Sequence, residues 1–177
     1  MITEQAIQDA RKHLLEQGEY MPSILVETDQ GVNLIAIAGM PEWGMERQMY
    51  FFGMGRRIAK DSPQQKLQTV TMISETWVSR AASDGSRRYE KPADDPERGE
   101  ALMLIQVDLT FTPPAQDAVF MDMKRDASGK LVDAMPRRPD GKMNMNLLLR
   151  FIAGWQSAAV SDADLLRMAA MEHGPLQ

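Results

Sequence analysis

The sequence predicts an α+β protein, an antiparallel sheet with helices packed on one face. Three observations predict it. Runs with period-two alternation, clearest from Glu100 to Thr112, mark strands; stretches with helical spacing lie at both ends and in the first half; and most connections between strands are too short for parallel crossovers. The expected order is α-β-β-α-β-β-β-β-α-α.

Thr3 can cap a first helix in which Ala6, Ile7, Ala10, Leu14 and Leu15 follow helical spacing, with Gly18 as its stop. Ser23 to Thr28 and Val32 to Ala38 are β-rich runs separated by Asp29-Gln30-Gly31, which reads as a hairpin. Pro41-Glu42 opens a second helix running to about Lys60, where Met45, Met49 and Phe52 share a face and Asp61-Ser62-Pro63 ends the pattern. Gly44, Gly53 and Gly55 each cost this helix up to about 1 kcal/mol relative to alanine, which predicts either a kink or very close packing against a neighbour.

The β-branched residues from Lys66 to Val78 predict a strand with Ile73, Glu75 and Trp77 on one face. In Glu100 to Thr112, the residues Ala101, Met103, Ile105, Val107, Leu109 and Phe111 form an apolar face. The opposite face, Leu102, Leu104, Gln106, Asp108 and Thr110, turns polar toward its end. Pro113-Pro114 stops the strand. Asp117 to Lys124 continues as another, and Asp126-Ala127-Ser128-Gly129 returns the chain through Lys130 to Asp133. Polar loops are expected near 81–99 and 134–144. Leu147, Leu148, Phe151, Ile152 and Trp155 then mark a helix, and Ser161-Asp162-Ala163-Asp164 resembles a capping box opening a last one.

The length of 177 residues, with no internal repeat or interdomain linker, predicts one domain over 1–177 that buries roughly 70% of the surface of its unfolded chain. Zero cysteines exclude disulfides, thiolate metal sites and a Cys nucleophile. No basic segment followed by an apolar run opens the sequence and no window approaches about 18 apolar residues, so the expectation is a soluble cytoplasmic protein without a membrane partner. A net charge of -5 argues against nucleic acid as a partner. Arg80, Arg87 and Arg88, and Arg137-Arg138, lie in polar stretches and read as solvated loop charge.

Most catalytic signatures are missing. Gly53-Met54-Gly55-Arg56-Arg57 lies within a helix pattern and lacks the ending of a phosphate loop, and the two histidines, His13 and His173, have no ligand spacing. Asp94, Asp95, Glu97 and Glu100 lack the alternation and central glycine of a calcium loop and read as solvated charge, so neither cofactor nor metal is expected. Glu75 is the most informative residue. A carboxylate between Ile73 and Trp77 on a buried face would have a raised pKa, the means of making a general acid or base; on an exposed face it would be solvated or matched to an arginine.

Ser74-Glu75-Thr76-Trp77, followed after a polar loop by Asp95-Pro96-Glu97-Arg98-Gly99-Glu100, resembles a group of uncharacterised bacterial and phage-related proteins with an S-E-x-W strand and a D-P-x-R-x-E loop. The resemblance covers about a third of the chain, implies a shared fold and no activity, and makes Glu75, Trp77, Arg98 and Glu100 the candidate ligand-binding residues. The same four could equally form a structural salt bridge that pins the loop across adjacent strands. Fifteen methionines suit either core filling or an adaptable surface, and Met143 and Met145 beside a polar loop are expected to be exposed unless covered. The leading expectation is a non-enzymatic protein acting as a homo-oligomer, a dimer first, or by binding a protein partner. A small-molecule binder or enzyme at Glu75 is the alternative.

Overall fold

The computed structural model describes residues 1–42, 44–79, 94–139 and 143–164. It is α+β, in the order α1 (Glu4–Gln17), β1 (Ser23–Thr28), β2 (Gly31–Ala36), α2 (Gly44–Asp61), β3 (Leu67–Val78), β4 (Gly99–Asp108), β5 (Ala115–Arg125), β6 (Leu131–Arg137) and α3 (Asn146–Gln156). A further helix opens at 162–164. The chain packs as two compact units, one of Met1–Gly39 with Leu67–Met145 and one of Met40–Lys66 with the chain from Asn146 onward.

The first unit holds a six-stranded sheet in the order β2-β1-β3-β4-β5-β6, every neighbouring pair antiparallel. Its helix starts where Thr3 Oγ1 accepts from the Ala6 amide at 3.2 Å. It ends at Gly18, whose φ of 80° lets its amide reach Leu14 O. Between these caps the 3.6-residue period brings Ile7, Ala10 and Leu14 onto one stripe. That stripe packs against Ile73 of β3, Leu102 and Leu104 of β4, Val119 and Met121 of β5, and Leu131 and Ala134 of β6. Each large aliphatic side chain buried there contributes roughly 1.5–3 kcal/mol. Arg11 fixes the helix to the far edge, donating to Ala134 O at 2.7 Å and to Asp133 Oδ1 at 2.9 Å.

Register explains the rest of this face. Thr69, Thr71, Ile73, Glu75 and Trp77 lie opposite Asp108, Gln106, Leu104, Leu102 and Glu100. The core therefore grades into polar residues at both ends of the β3–β4 pair. On the other face Ala101, Ile105 and Val107 are buried, as their alternation predicts.

Four boundaries depart from expectation. β4 stops at Asp108, not Thr112, because Asp108 Oδ1 accepts from the Thr110 amide at 3.0 Å and turns the chain; Phe111 is exposed. β6 runs through Arg137, so the loop expected from 134 begins as strand, with Pro136 tolerated because β6 is an edge. β2 ends at Ala36 and α2 begins at Gly44. Met145 is buried, not exposed, and Met143 is half-buried. Most of the polar stretch expected over 81–99 lies outside the described residues, as do Arg80, Arg87, Arg88 and His173.

In the second unit α2 and α3 pack through glycines. A Cβ on Gly55 would stand 2.0 Å from Phe151 O, and one on Gly154 would stand 2.0 Å from Phe52 O, so both are held at close backbone approach. Gly53 faces open space. Phe51, Gly55, Arg56 and Ala59 form the buried stripe of α2, whereas Met45 and Met49 are exposed. Buried Arg56 donates to the carbonyls of Ser157 and Val160 and to Asp162 Oδ1, capping the chain as it leaves α3. Beyond it Ser161 Oγ accepts from the Asp164 amide at 3.1 Å and donates to Asp164 Oδ2 at 2.6 Å, the expected capping contact.

Candidate functional site

The four residues singled out in the sequence fall at the end of β3 and the start of β4. Glu75 follows buried Ile73 on the same face but is itself exposed, because burial on β3 ends before it; its Oε1 accepts from the Tyr20 amide at 2.7 Å. The buried face on which the acid–base reading of Glu75 depends ends before it. Trp77 is exposed, and the Arg98 guanidinium carbon lies 4.6 Å from its ring centroid. Glu100, opposite Trp77 in register, pairs with Arg125 Nε at 2.6 Å. That hydrogen bond holds the Arg125 pKa above its ordinary value, and the charges of Glu100, Glu75 and Glu19 add to it. Trp77 and Arg98 are thus brought together, and Glu75 and Glu100 share the field of Arg125, which sequence reasoning missed.

The loop beside them is organised by a residue read from sequence as solvated charge. Asp95 is buried, accepts from the Ser79 hydroxyl and caps the turn by accepting from the Glu97 amide at 2.8 Å. It ties the start of β4 to the end of β3. No group of acids or histidines among the described residues has the geometry of a metal site.

Two other features of the first unit stand out. The first is β2, an edge strand exposed along nearly its whole length, with Val32 60% and Leu34 62% exposed and no charged residue or proline within it. The opposite edge, β6, carries Asp133, Pro136 and Arg137, with Arg137 paired to Asp122 at 2.7 Å. Arg138 just beyond pairs with Asp117, so both arginines of the 137–138 pair are engaged.

The second is a groove of about 760 Å³ beside α1, where the sheet face extends past the helix onto β1 and β2. Its floor is the polar end of the α1-facing surface: Ser23 and Glu27 of β1, Thr69 and Thr71 of β3, Gln106 and Asp108 of β4. Leu25, Leu34, Ile73 and Leu104 supply apolar wall, and Tyr20 packs edge-on against His13 at 5.1 Å between ring centroids. Partial burial pushes the Tyr20 pKa up. Asp108 is also buried; desolvation raises its pKa, but hydrogen bonds from Thr110 and the Met1 amine outweigh it and the net shift is downward. The signal for the groove was the polar turn of the β4 face at Gln106 and Asp108. Only the strand register shows that Thr71 and Thr69 lie opposite them. No family model, curated protein or solved structure matches the chain.

Proposed function

We propose that the protein works by self-assembly in the cytoplasm, without catalysing a reaction, by pairing the β2 edge of one copy with the β2 edge of a second. The unguarded edge carries the reading. Strand edges that remain single are commonly blunted by charge, proline or cover, because their free N–H and C=O groups otherwise template another strand. β6 has such residues and β2 has none.

A second copy suits this edge because the interface is self-complementary. A two-fold axis normal to the sheet sets Leu34 opposite Leu34 and Val32 opposite Ala36, all on the face that carries the groove. The strand has no charged side chain, so two chains of net charge -5 meet there without like charges directly opposed.

Sedimentation velocity on the whole chain tests it. The expected result is a species of twice the 19.9 kDa chain mass that Leu34→Lys converts to monomer while the circular dichroism spectrum is unchanged. A wild-type chain that is monomeric throughout the micromolar range, or a Leu34→Lys variant that dimerises normally, would sink the proposal.

A second reading, a small polar-ligand site at Glu75, Trp77, Arg98 and Glu100, is supported by the stacked Arg98–Trp77 pair. Such a site predicts that Arg98→Met abolishes ligand binding with the fold intact.

A further inference from the structure

The two edges of the sheet differ residue by residue. Just past β2 the Ile37 amide donates to Pro22 O at 2.8 Å. Alternation along the antiparallel pair therefore turns the N–H and C=O of Ile35 and Asn33 toward β1 and leaves those of Val32, Leu34 and Ala36 on the free side.

β6 ends the sheet on the other side. The Ala134 amide donates to Asp133 Oδ1 at 2.8 Å, and the Ala134 carbonyl accepts from Arg11 Nε at 2.7 Å. Both backbone groups of a residue in an antiparallel strand point to one side, and here side chains hold both, so Ala134 presents them at the free edge. Arg11 also donates to Asp133 Oδ1 at 2.9 Å, which joins the two side chains into a clamp. Ala134 belongs to the core that α1 covers, and successive strand residues face opposite ways, so the clamp wraps the edge from both faces.

The neighbouring positions are closed by other means. Pro136, two residues on and facing the same way, has no N–H to offer. In the other direction the register passes from Asp133 to Leu131 across a single step of β5. Val132 is thus the extra residue of a bulge, which breaks the even spacing that an added strand needs.

We infer that α1, through Arg11, decides how far the assembly grows: β6 is closed to a further strand, that of another copy included, so pairing at β2 ends at two chains. The number two rests on the β2 reading, whereas the closed edge rests on the geometry of β6 alone. With both edges open, contacts alternating between β2 and β6 would extend the sheet without limit. Because the clamp comes from a helix side chain, the closure holds only while α1 stays docked.

Sedimentation velocity on the triple variant Arg11→Met/Asp133→Val/Pro136→Val, at positions that are half-buried or exposed, tests the inference. It is expected to form species heavier than twice the 19.9 kDa chain, growing with concentration. Val132→Lys added to it is expected to restore the wild-type mass, because an edge lysine opposes strand addition. Combined with Leu34→Lys, the triple variant has only β6 open and is expected to stop at a dimer. That arm separates the two ideas. A monomeric wild type with a dimeric combined variant sinks β2 pairing and keeps the closed β6 edge; a dimeric wild type with a triple variant of the same mass keeps β2 pairing and overturns the inference. Growth that persists with Val132→Lys arises elsewhere on the molecule and also overturns it. Should the triple variant fail to fold, hydrogen exchange of the Leu34→Lys chain decides. The Ala134 amide is expected to exchange at least about tenfold more slowly than those of Val32 and Ala36, and equal rates overturn the closed edge.

Discussion

The backbones of Gly55 and Phe151 meet so closely that no side chain fits between them: a Cβ at Gly55 would lie 2.0 Å from the Phe151 carbonyl oxygen. Gly55→Ala is therefore expected to destabilise the protein by at least about 1–3 kcal/mol, the usual cost of overpacking, because the obstructing atom is backbone. Gly53→Ala, in open space two residues earlier, is expected to stabilise by up to about 1 kcal/mol through helix propensity. Urea unfolding of the two variants, with opposite signs, checks the relationship.

Arg56→Met keeps the aliphatic stem and removes the guanidinium. The carbonyls of Ser157 and Val160 then lose a charged donor. A loss of about 1.5–3 kcal/mol is expected from hydrogen bonds of that kind. Chemical denaturation measures it, and a change below about 0.5 kcal/mol, the level of an ordinary surface substitution, would show that the cap is dispensable.

Acid should loosen α1 from β6. The hydrogen bond from Arg11 to Asp133, with the Ala134 amide adding to it, holds the Asp133 carboxyl below its usual value. A folded-state pKa below the unfolded one, which is near about 3.9 for Asp, gives stability that is present above that pH and lost as pH falls through the lower folded value. Melting temperature should therefore drop more steeply below about pH 4 for the wild type than for Asp133→Asn. Parallel curves would exclude the linkage.

Glu75→Gln should change stability little, because a glutamine oxygen can still accept from the Tyr20 amide and the site is exposed. Arg98→Met should move the Trp77 fluorescence spectrum while costing about 0.5–1 kcal/mol, as expected of an exposed cation–π pair. Fluorescence that is identical in wild type and variant would mean that the pair does not persist in solution.

Much of the fold was legible because local chemistry and burial agree along most of it. Thr3 and Gly18 bound the first helix as their cap chemistry requires, and the alternation of Ala101, Ile105 and Val107 matches one of the two faces of β4, both of which are buried. The errors arose where a local side-chain turn or a non-local partner overrides the apolar pattern. Asp108 turns the chain with its own side chain before the apolar alternation ends, and Ala134 to Arg137 join the sheet because β5 offers them an edge. Met145 is apolar beside polar neighbours, and only the packed structure shows it buried. At the candidate patch, period two placed Glu75 on the correct face, but where burial along that face stops is a property of the packed sheet. The pairing of Thr71 with Gln106 depends on strand register, which single-chain periodicity does not specify.

The second unit is assembled from two stretches of chain that enclose most of the sheet in sequence: Arg56 and the Ser157 carbonyl it caps are 101 positions apart. During synthesis α2 emerges long before α3, and its buried stripe of Phe51, Gly55 and Ala59 has no α3 to pack against until the C-terminal stretch is made. Long-range closure of this kind slows folding and prolongs the exposure of apolar surface. A chain made only as far as Met145 contains all six strands but an α2 that still awaits its partner, so its apolar stripe stays exposed over that interval.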